Sequence, residues 1–432
     1  MKNALLWFRN DLRTADHQGL TKAAKAEKVI AVYCFDPRHY ADTAYGFKKT
    51  EKFRTKFLLE TVEELRRNLA KLNISLLVYP DEPESVLPKI IETYSIDTLM
   101  FQKEWTQEEV VVQNEVKKNI PEAVIMLSYY DQFLFHPSDI PFQSFQDVPQ
   151  VFTQFRKACE KMAKIFSALP VPEAMPKENR LHQETPIPSL EDLGLEIPEA
   201  EPRSAFPFLG GETEALKRLD HYFWKTGKLA YYKKTRNGLV GIDYSSKFSP
   251  WLANGSISAR TIYHEVKRFE REVKKNQDTY WLVFELIWRD YFKYVSLKYG
   301  NAIFKIGGIL EKNYAWKNDP RHFRAWAEGS TFEPFVNANM VELARTGWMS
   351  NRGRQNVASY WAKELEQDWR IGAAYFEAML IDYDVHSNWG NWMYNSGVGN
   401  DPRDRKFNIK RQADMYDSNG RFQKQWLQET LF

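Results

Sequence analysis

The chain has 432 residues, 43% hydrophobic and 27% charged, which fits a globular protein of two or three domains. Two cysteines, Cys34 and Cys159, exclude a disulfide framework and a four-thiolate cluster. Net charge is +3, but residues 1–200 carry 25 basic against 30 acidic side chains and residues 201–432 carry 35 against 27.

Short β-branched runs open the chain at 4–8, 29–35, 74–79, 98–101 and 123–127. No signal-peptide pattern precedes the first of them, and no apolar run is long enough to span a bilayer, so a cytoplasmic protein with no membrane partner is expected. Between the second and third runs, Phe53, Phe57, Leu58, Val62, Leu65 and Leu69 recur at helical spacing through residues 49–72. This alternation predicts a doubly wound α/β domain with a parallel sheet over 1–130. No G-x-G-x-x-G follows the first strand, so an ordinary dinucleotide fold has no motif behind it. Residues 131–206 are proline-rich, interrupted by one helical segment at 151–167, and read as a long connection. From residue 207 to 432 the pattern is helical, with candidate helices at 212–224, 259–273, 279–299, 337–345, 357–365 and 371–380. An all-α second domain is predicted, and it holds every tryptophan of the fourteen except Trp7 and Trp105.

Four stretches of that domain carry chemistry. Ser245, Ser246, Lys247, Phe248 and Ser249, followed by Pro250, place hydroxyls and backbone amides at a helix start. Such a site suits a diphosphate, although serine beside proline also caps helices with no ligand. Trp281, Glu285 and Trp288 share one helix face, and a carboxylate between two indoles needs a partner or a ligand. Arg289 on the same helix could reach a phosphate. The run from Trp348 to Asn356 carries Arg352 and Arg354. The run from Ile381 to Trp392 follows with two acids, Asp382 and Asp384, and two indoles. These acids could accept ribose hydroxyls or pair with Arg352 and Arg354. A purely structural ion-pair network fits the same residues. The basic excess and the aromatic content suit a nucleic acid, whose bases stack on such rings.

These segments in this order resemble the photolyase/cryptochrome family. The resemblance rests on Tyr232 to Asn237, Ser245 to Ser249, Glu285 to Asp290, Met349 to Ser359 and Asp382 to Pro402, with Leu6 to Arg13 and Val151 to Lys157 beside them. Gln355, Tyr394 and the Ser350–Asn351 pair point to the DASH branch. His386, where a small residue is the family's habit, and His17–Gln18 depart from the pattern.

The resemblance implies FAD folded inside the helical domain, with Tyr232 and Ser245 through Ser249 at its diphosphate and ribityl region. Asp382, Tyr383 and Asp384 would line the adenine–ribose side and pair with Arg352 or Arg289. Asn388 would face flavin N5. The implied activity is blue-light-driven repair of cyclobutane pyrimidine dimers in DNA, single strands preferred, by a monomer that needs no metal. Glu285 would hydrogen-bond the dimer, Trp288 and Tyr394 would wall it, and Asn351 would contact it. Trp392, Trp369 and Trp316 would pass electrons to oxidised flavin. A methenyltetrahydrofolate antenna is implied, with Glu108, Glu109 and residues 151–156 as candidates. The alternative is a signalling photoreceptor without repair. Its usual long C-terminal extension is not expected here, because the chain stops shortly after the flavin segments.

Overall fold

The computed structural model describes residues 1–428. Five strands, β1 (Asn3–Trp7), β2 (Lys28–Cys34), β3 (Ser75–Tyr79), β4 (Thr98–Gln102) and β5 (Ile125–Tyr129), pair in parallel in the order β3-β2-β1-β4-β5. Helices α1 (Gln18–Ala23), α2 (Lys52–Lys71), α3 (Pro83–Thr93) and α4 (Gln107–Asn119) cover the sheet. Ala4, Leu6, Val29 and Ala31 face α1 and α2, packing on Leu20, Val62, Leu65 and Leu69. Leu5, Trp7, Ile30, Val32 and Phe101 face α3 and α4, packing on Leu87, Ile90 and Val116. Burial on both faces is why the central strands read as unbroken apolar runs. All five expected strands are present, each within two residues of its expected start.

The segment after β5 holds one helix, α5 (Phe152–Met162), besides short 3-10 turns. It ends five residues before the helix expected to residue 167. Ala163 turns to extended backbone (φ −81°, ψ 145°), and the Lys164 N–H is taken by Asp139.

The remainder is helical: α6 (Glu212–Asp220), α7 (Tyr232–Thr235), α8 (Ser249–Ala253), α9 (Ala259–Glu272), α10 (Gln277–Tyr299), α11 (Pro320–Ala327), α12 (Pro334–Thr346), α13 (Asn351–Ser359), α14 (Trp369–Met379), α15 (Val385–Ser396), α16 (Ile409–Tyr416) and α17 (Arg421–Leu427). The last four residues of the domain expected over 207–432 lie outside the described residues. Helix α10 starts at a capping box on Asn276 and Thr279 and is buried along most of its length. Its Asp290 accepts the N–H groups of Leu134 and Phe135 at 2.9 and 2.7 Å, which ties it to the connection. Among the described residues no helix is long and apolar enough to cross a membrane.

A buried ion network joins sheet and helices. Arg260 on α9 bonds Asp16 at 2.9 Å and Asp131 at 2.7 Å, and Arg13 reaches Asp131 at 3.3 Å. His17 also stays inside: its Nδ1 caps α1 through Leu20 N–H at 2.9 Å, and its Nε2 meets Asp11 at 2.9 Å.

Candidate functional site

A cavity opens between α13, α14 and α15. Its walls include Asn351, Arg354, Gln355, Phe376, Asp382, Tyr383, Asp384, Asn388 and Trp392. Two caps aim these residues. Ser350 caps α13 by accepting Gly353 N–H at 2.9 Å, and Asp384 caps α15 by accepting Ser387 N–H at 2.8 Å. Arg354 Nη2 donates to both oxygens of Asp382 at 2.9 Å. Lys293 Nζ, buried on α10, donates to Asp384 at 2.7 Å. Burial pushes the Asp384 carboxyl up, but Lys293, His386 and Arg289 hold it far below the usual carboxylate range. Asn388 spends its amide N–H on Ala373 O at 3.0 Å, which leaves Oδ1 as an acceptor on the cavity wall.

The Arg354–Asp382 pair is one of the pairings expected, whereas pairing of the two acids with Arg352 or Arg289 is corrected. Arg352 instead donates to Gln355 Oε1 at 2.9 Å and Asn237 Oδ1 at 3.3 Å, and lies over the Tyr416 ring. Arg289 donates to the carbonyls of Gln132 at 2.6 Å and Leu252 at 3.0 Å, bridging the connection and α8. Lys293 was missed because a lysine inside a buried helix leaves no mark in spacing alone.

The 245–249 loop is built to offer N–H groups. Arg218 collects the carbonyls of Ile242, Ser245 and Ser246 at 3.2, 3.0 and 3.0 Å, together with Asp243 Oδ1 at 2.6 Å. Lys247 takes a left-handed backbone (φ 64°) and Phe248 a right-handed one (φ −75°). Successive N–H groups in such a sequence converge as an anion-binding concavity. The N–H groups of Lys247 and Phe248 find no backbone acceptor among the described residues. These features fit a flavin dinucleotide: open amides for a diphosphate, and a cavity edged by Asn388 and the Arg354–Asp382 pair. Tyr232 is buried near Arg236 and Ser246, and burial pushes its phenol up to about 12. Ser249 is exposed at the head of α8.

On α10, Glu285 pairs with Arg236 Nη2 at 2.8 Å. Burial raises the Glu285 carboxyl, and Arg236 offsets only part of that rise. Arg236 was not foreseen, because it arrives from the loop after α7. Trp288 stacks on Phe152 (3.6 Å, 10°) and meets Tyr394 edge-on (6.0 Å, 89°). Asn351 is exposed at the start of α13, on the cavity wall.

Trp392 and Trp369 are buried, and Trp316 is half-buried. Trp392 packs against Gly372 of α14, where an added Cβ would lie 2.3 Å from the indole. Gly372 sits one turn beyond Trp369. The ring contacts of the three indoles run to other residues: Trp392 to Phe376 (5.1 Å) and Trp326 (6.2 Å), Trp369 to Trp389 (5.6 Å), and Trp316 to Tyr314 (5.5 Å).

Each antenna candidate has a partner within the protein. Glu108 pairs with Lys49 at the surface, and Glu109 takes the Thr106 hydroxyl while burial pushes it up to about 7. In residues 151–156, Phe152 stacks on Trp288 and Arg156 pairs with Glu160. Among the described residues no group of three His, Cys, Asp or Glu side chains is placed to hold a metal.

A doubly wound parallel sheet joined to an all-helical domain with a cavity among its helices is a photolyase-type architecture. Residues 4–177 match the DNA photolyase family, and residues 281–431 match the FAD binding domain of DNA photolyase. The chain is 48% identical to cryptochrome DASH of Danio rerio, over 99% of this chain and 83% of that protein. It is 49% identical to cryptochrome DASH of Synechocystis sp., over 98% and 87%. The solved Synechocystis sp. PCC6803 cryptochrome superposes with a TM-score of 0.94 at 47% identity, covering 99% of this chain and 89% of that one. A bacterial class III photolyase from Agrobacterium tumefaciens gives 0.82 at 25% identity, over 99% and 86%. The chain belongs to the cryptochrome DASH group of the DNA photolyase family.

Proposed function

We propose that the protein repairs cyclobutane pyrimidine dimers in DNA under blue light, with single strands preferred. The observation that carries this reading is the Glu285–Arg236 pair on the helix face that also presents Trp288 toward Tyr394. When bound in the cavity, FAD supplies light absorption and the single electron that a dimer receives and returns. The chain's own residues do the rest. Asn388 presents a fixed acceptor oxygen, because its N–H is committed to Ala373. The Arg354–Asp382 pair sets the charge on the cavity wall. Glu285, its carboxyl raised by burial and held by Arg236, is the group placed to hydrogen-bond a dimer carbonyl gaining negative charge. Trp288 and Tyr394 supply edge-to-face apolar walls, and Asn351 a polar contact at the mouth. A dimer must leave the base stack to reach such a pocket, and a single strand lowers that requirement.

A methenyltetrahydrofolate antenna stays in the proposal on family resemblance alone, since Glu108 and Glu109 are committed to Lys49 and Thr106. The test is illumination of a thymine dimer in single-stranded and duplex oligonucleotides with the flavin-loaded, reduced protein. Light-dependent loss of the dimer is expected. No loss in either substrate would favour the photoreceptor reading.

A further inference from the structure

The face of α10 that carries Glu285 and Trp288 continues one turn toward the start of the helix. Trp281, Phe284, Glu285 and Trp288 fall at positions i, i+3, i+4 and i+7, and all four are half-buried. Leu282, Val283, Leu286 and Ile287, which alternate with them, are buried in the core. The rings on this face form one file. Trp281 stacks on Phe284 (4.5 Å, 24°), Phe284 meets Phe152 of α5 edge-on (5.2 Å, 84°), and Phe152 lies flat on Trp288.

Cations border the file. Lys233 Nζ lies over the Trp281 ring, 4.2 Å from its centre, and its hydrogen bond goes to an amide oxygen at the surface, Gln277 Oε1 at 3.1 Å. The Arg156 guanidinium lies 5.7 Å from the centre of Phe284 and also pairs with Glu160 at 2.6 Å. Arg236 is held beside them by Glu285. A half-exposed row of rings with a basic border has the chemistry of a single-stranded nucleic acid track, where bases stack and phosphates meet cations. An apolar protein partner would instead bury the Lys233 ammonium with only an amide to receive it. Trp281 and Trp288 stand seven residues apart, about 10 Å along the helix.

We infer that Trp281 is a stacking platform for the base adjoining the dimer on the same single strand, with Lys233 as the cation for its phosphate. The inference rests on reading Trp288 as a wall of the dimer pocket. In the free protein the Lys233 ammonium occupies the indole; the arriving base takes that place, and the ammonium swings out on its flexible stem to the phosphate. A base in a duplex is covered by its stacked neighbours and paired to the other strand, so the platform adds affinity to single strands alone.

The experiment measures binding of the flavin-loaded protein in the dark, by fluorescence anisotropy of a dye-labelled strand. The strand carries one thymine dimer with abasic nucleotides on both sides, and a single base is restored next to the dimer, on the 5′ or the 3′ side. For the wild type, restoring the base on one of the two sides is expected to tighten binding by about fivefold or more. Trp281→Ala should lose that gain, Trp281→Phe should keep most of it, and Trp281→Ala should bind the fully abasic strand as the wild type does. Duplex binding should be the same in Trp281→Ala and the wild type, and Lys233→Gln should lower the salt dependence of strand binding. The inference is overturned if the wild type gains nothing from a base on either side, a comparison that needs no variant to fold. It is also overturned if Trp281→Ala keeps the gain or weakens duplex and single strand alike. An undamaged strand of the same form separates the two claims. Preference for the dimer without any gain from the adjoining base sinks only the role of Trp281. Equal binding of damaged and undamaged strands sinks the dimer pocket itself.

Discussion

The indole of Trp105 lies face to face with the imidazole of His386, ring centres 4.5 Å apart and planes 15° from parallel. Ser296 Oγ joins them, accepting Trp105 Nε1–H at 2.7 Å and meeting His386 Nδ1 at 2.7 Å. Phe133 stacks on the other face of Trp105 (5.5 Å, 16°). The stack clamps the loop after β4 and the connection onto the first turn of α15, the helix that carries Asn388 and Trp392. His386 therefore has a purpose that its sequence position did not reveal.

Burial, with Lys293 and Arg289 nearby, holds the His386 imidazole well below its ordinary value despite Asp384. In the unfolded chain it titrates at about 6.5. Below that pH the unfolded state takes up a proton that the native state refuses, so stability falls as pH drops, by up to about 1.4 kcal/mol per pH unit. Urea unfolding at a series of pH values between about 6.5 and 5 should show a shallower decline for His386→Gln than for the wild type. Parallel declines would mean that His386 is protonated in the native protein.

Glu285→Gln keeps a donor and most of the volume, so part of the repair yield per absorbed photon should survive. Glu285→Ala removes the donor and strands Arg236, so the yield should fall by about tenfold or more while flavin content holds. Wild-type yield from Glu285→Ala would make the Glu285–Arg236 pair structural.

Trp392→Phe should abolish photoreduction of oxidised flavin yet leave repair intact once the flavin is chemically reduced. Gly372→Ala offers an independent check, because its Cβ would collide with the Trp392 indole. It should cost about 1–3 kcal/mol in stability and slow photoreduction by moving that ring. If Gly372→Ala photoreduces at the wild-type rate, the placement of Trp392 against α14 is not what sets electron supply.

Binding of dimer-containing single strands should weaken steeply with salt, since residues 201–432 carry the positive excess. Duplex substrate should bind more weakly at every salt concentration by the few kcal/mol of unpairing and unstacking. Equal affinities in a matched titration would remove the single-strand preference.

The sheet was legible because its inner strands are buried on both sides and its amphipathic α2 has a regular apolar face. The spacing of Trp281, Glu285 and Trp288 placed them on one helix, and the composition of Ser245–Ser249 pointed to the anion site proposed there. The charge partners were not legible. Arg236 and Lys293 reach their carboxylates from other elements, and nothing in local spacing says which basic residue will arrive. The partners of Glu108 and Glu109, which open α4, were not legible for a similar reason: Lys49 and Thr106 reach them through the fold and a local cap.

The network of Arg13, Asp16, Asp131 and Arg260 bears on how the molecule comes apart. Separating sheet from helices would break all of these buried pairs at once and expose the apolar surface packed around them. The two parts therefore melt as one cooperative unit. Slow amide exchange in β1 and in α9 should report the same opening event, and a protease would find no half-open form in which one part stands folded and the other does not.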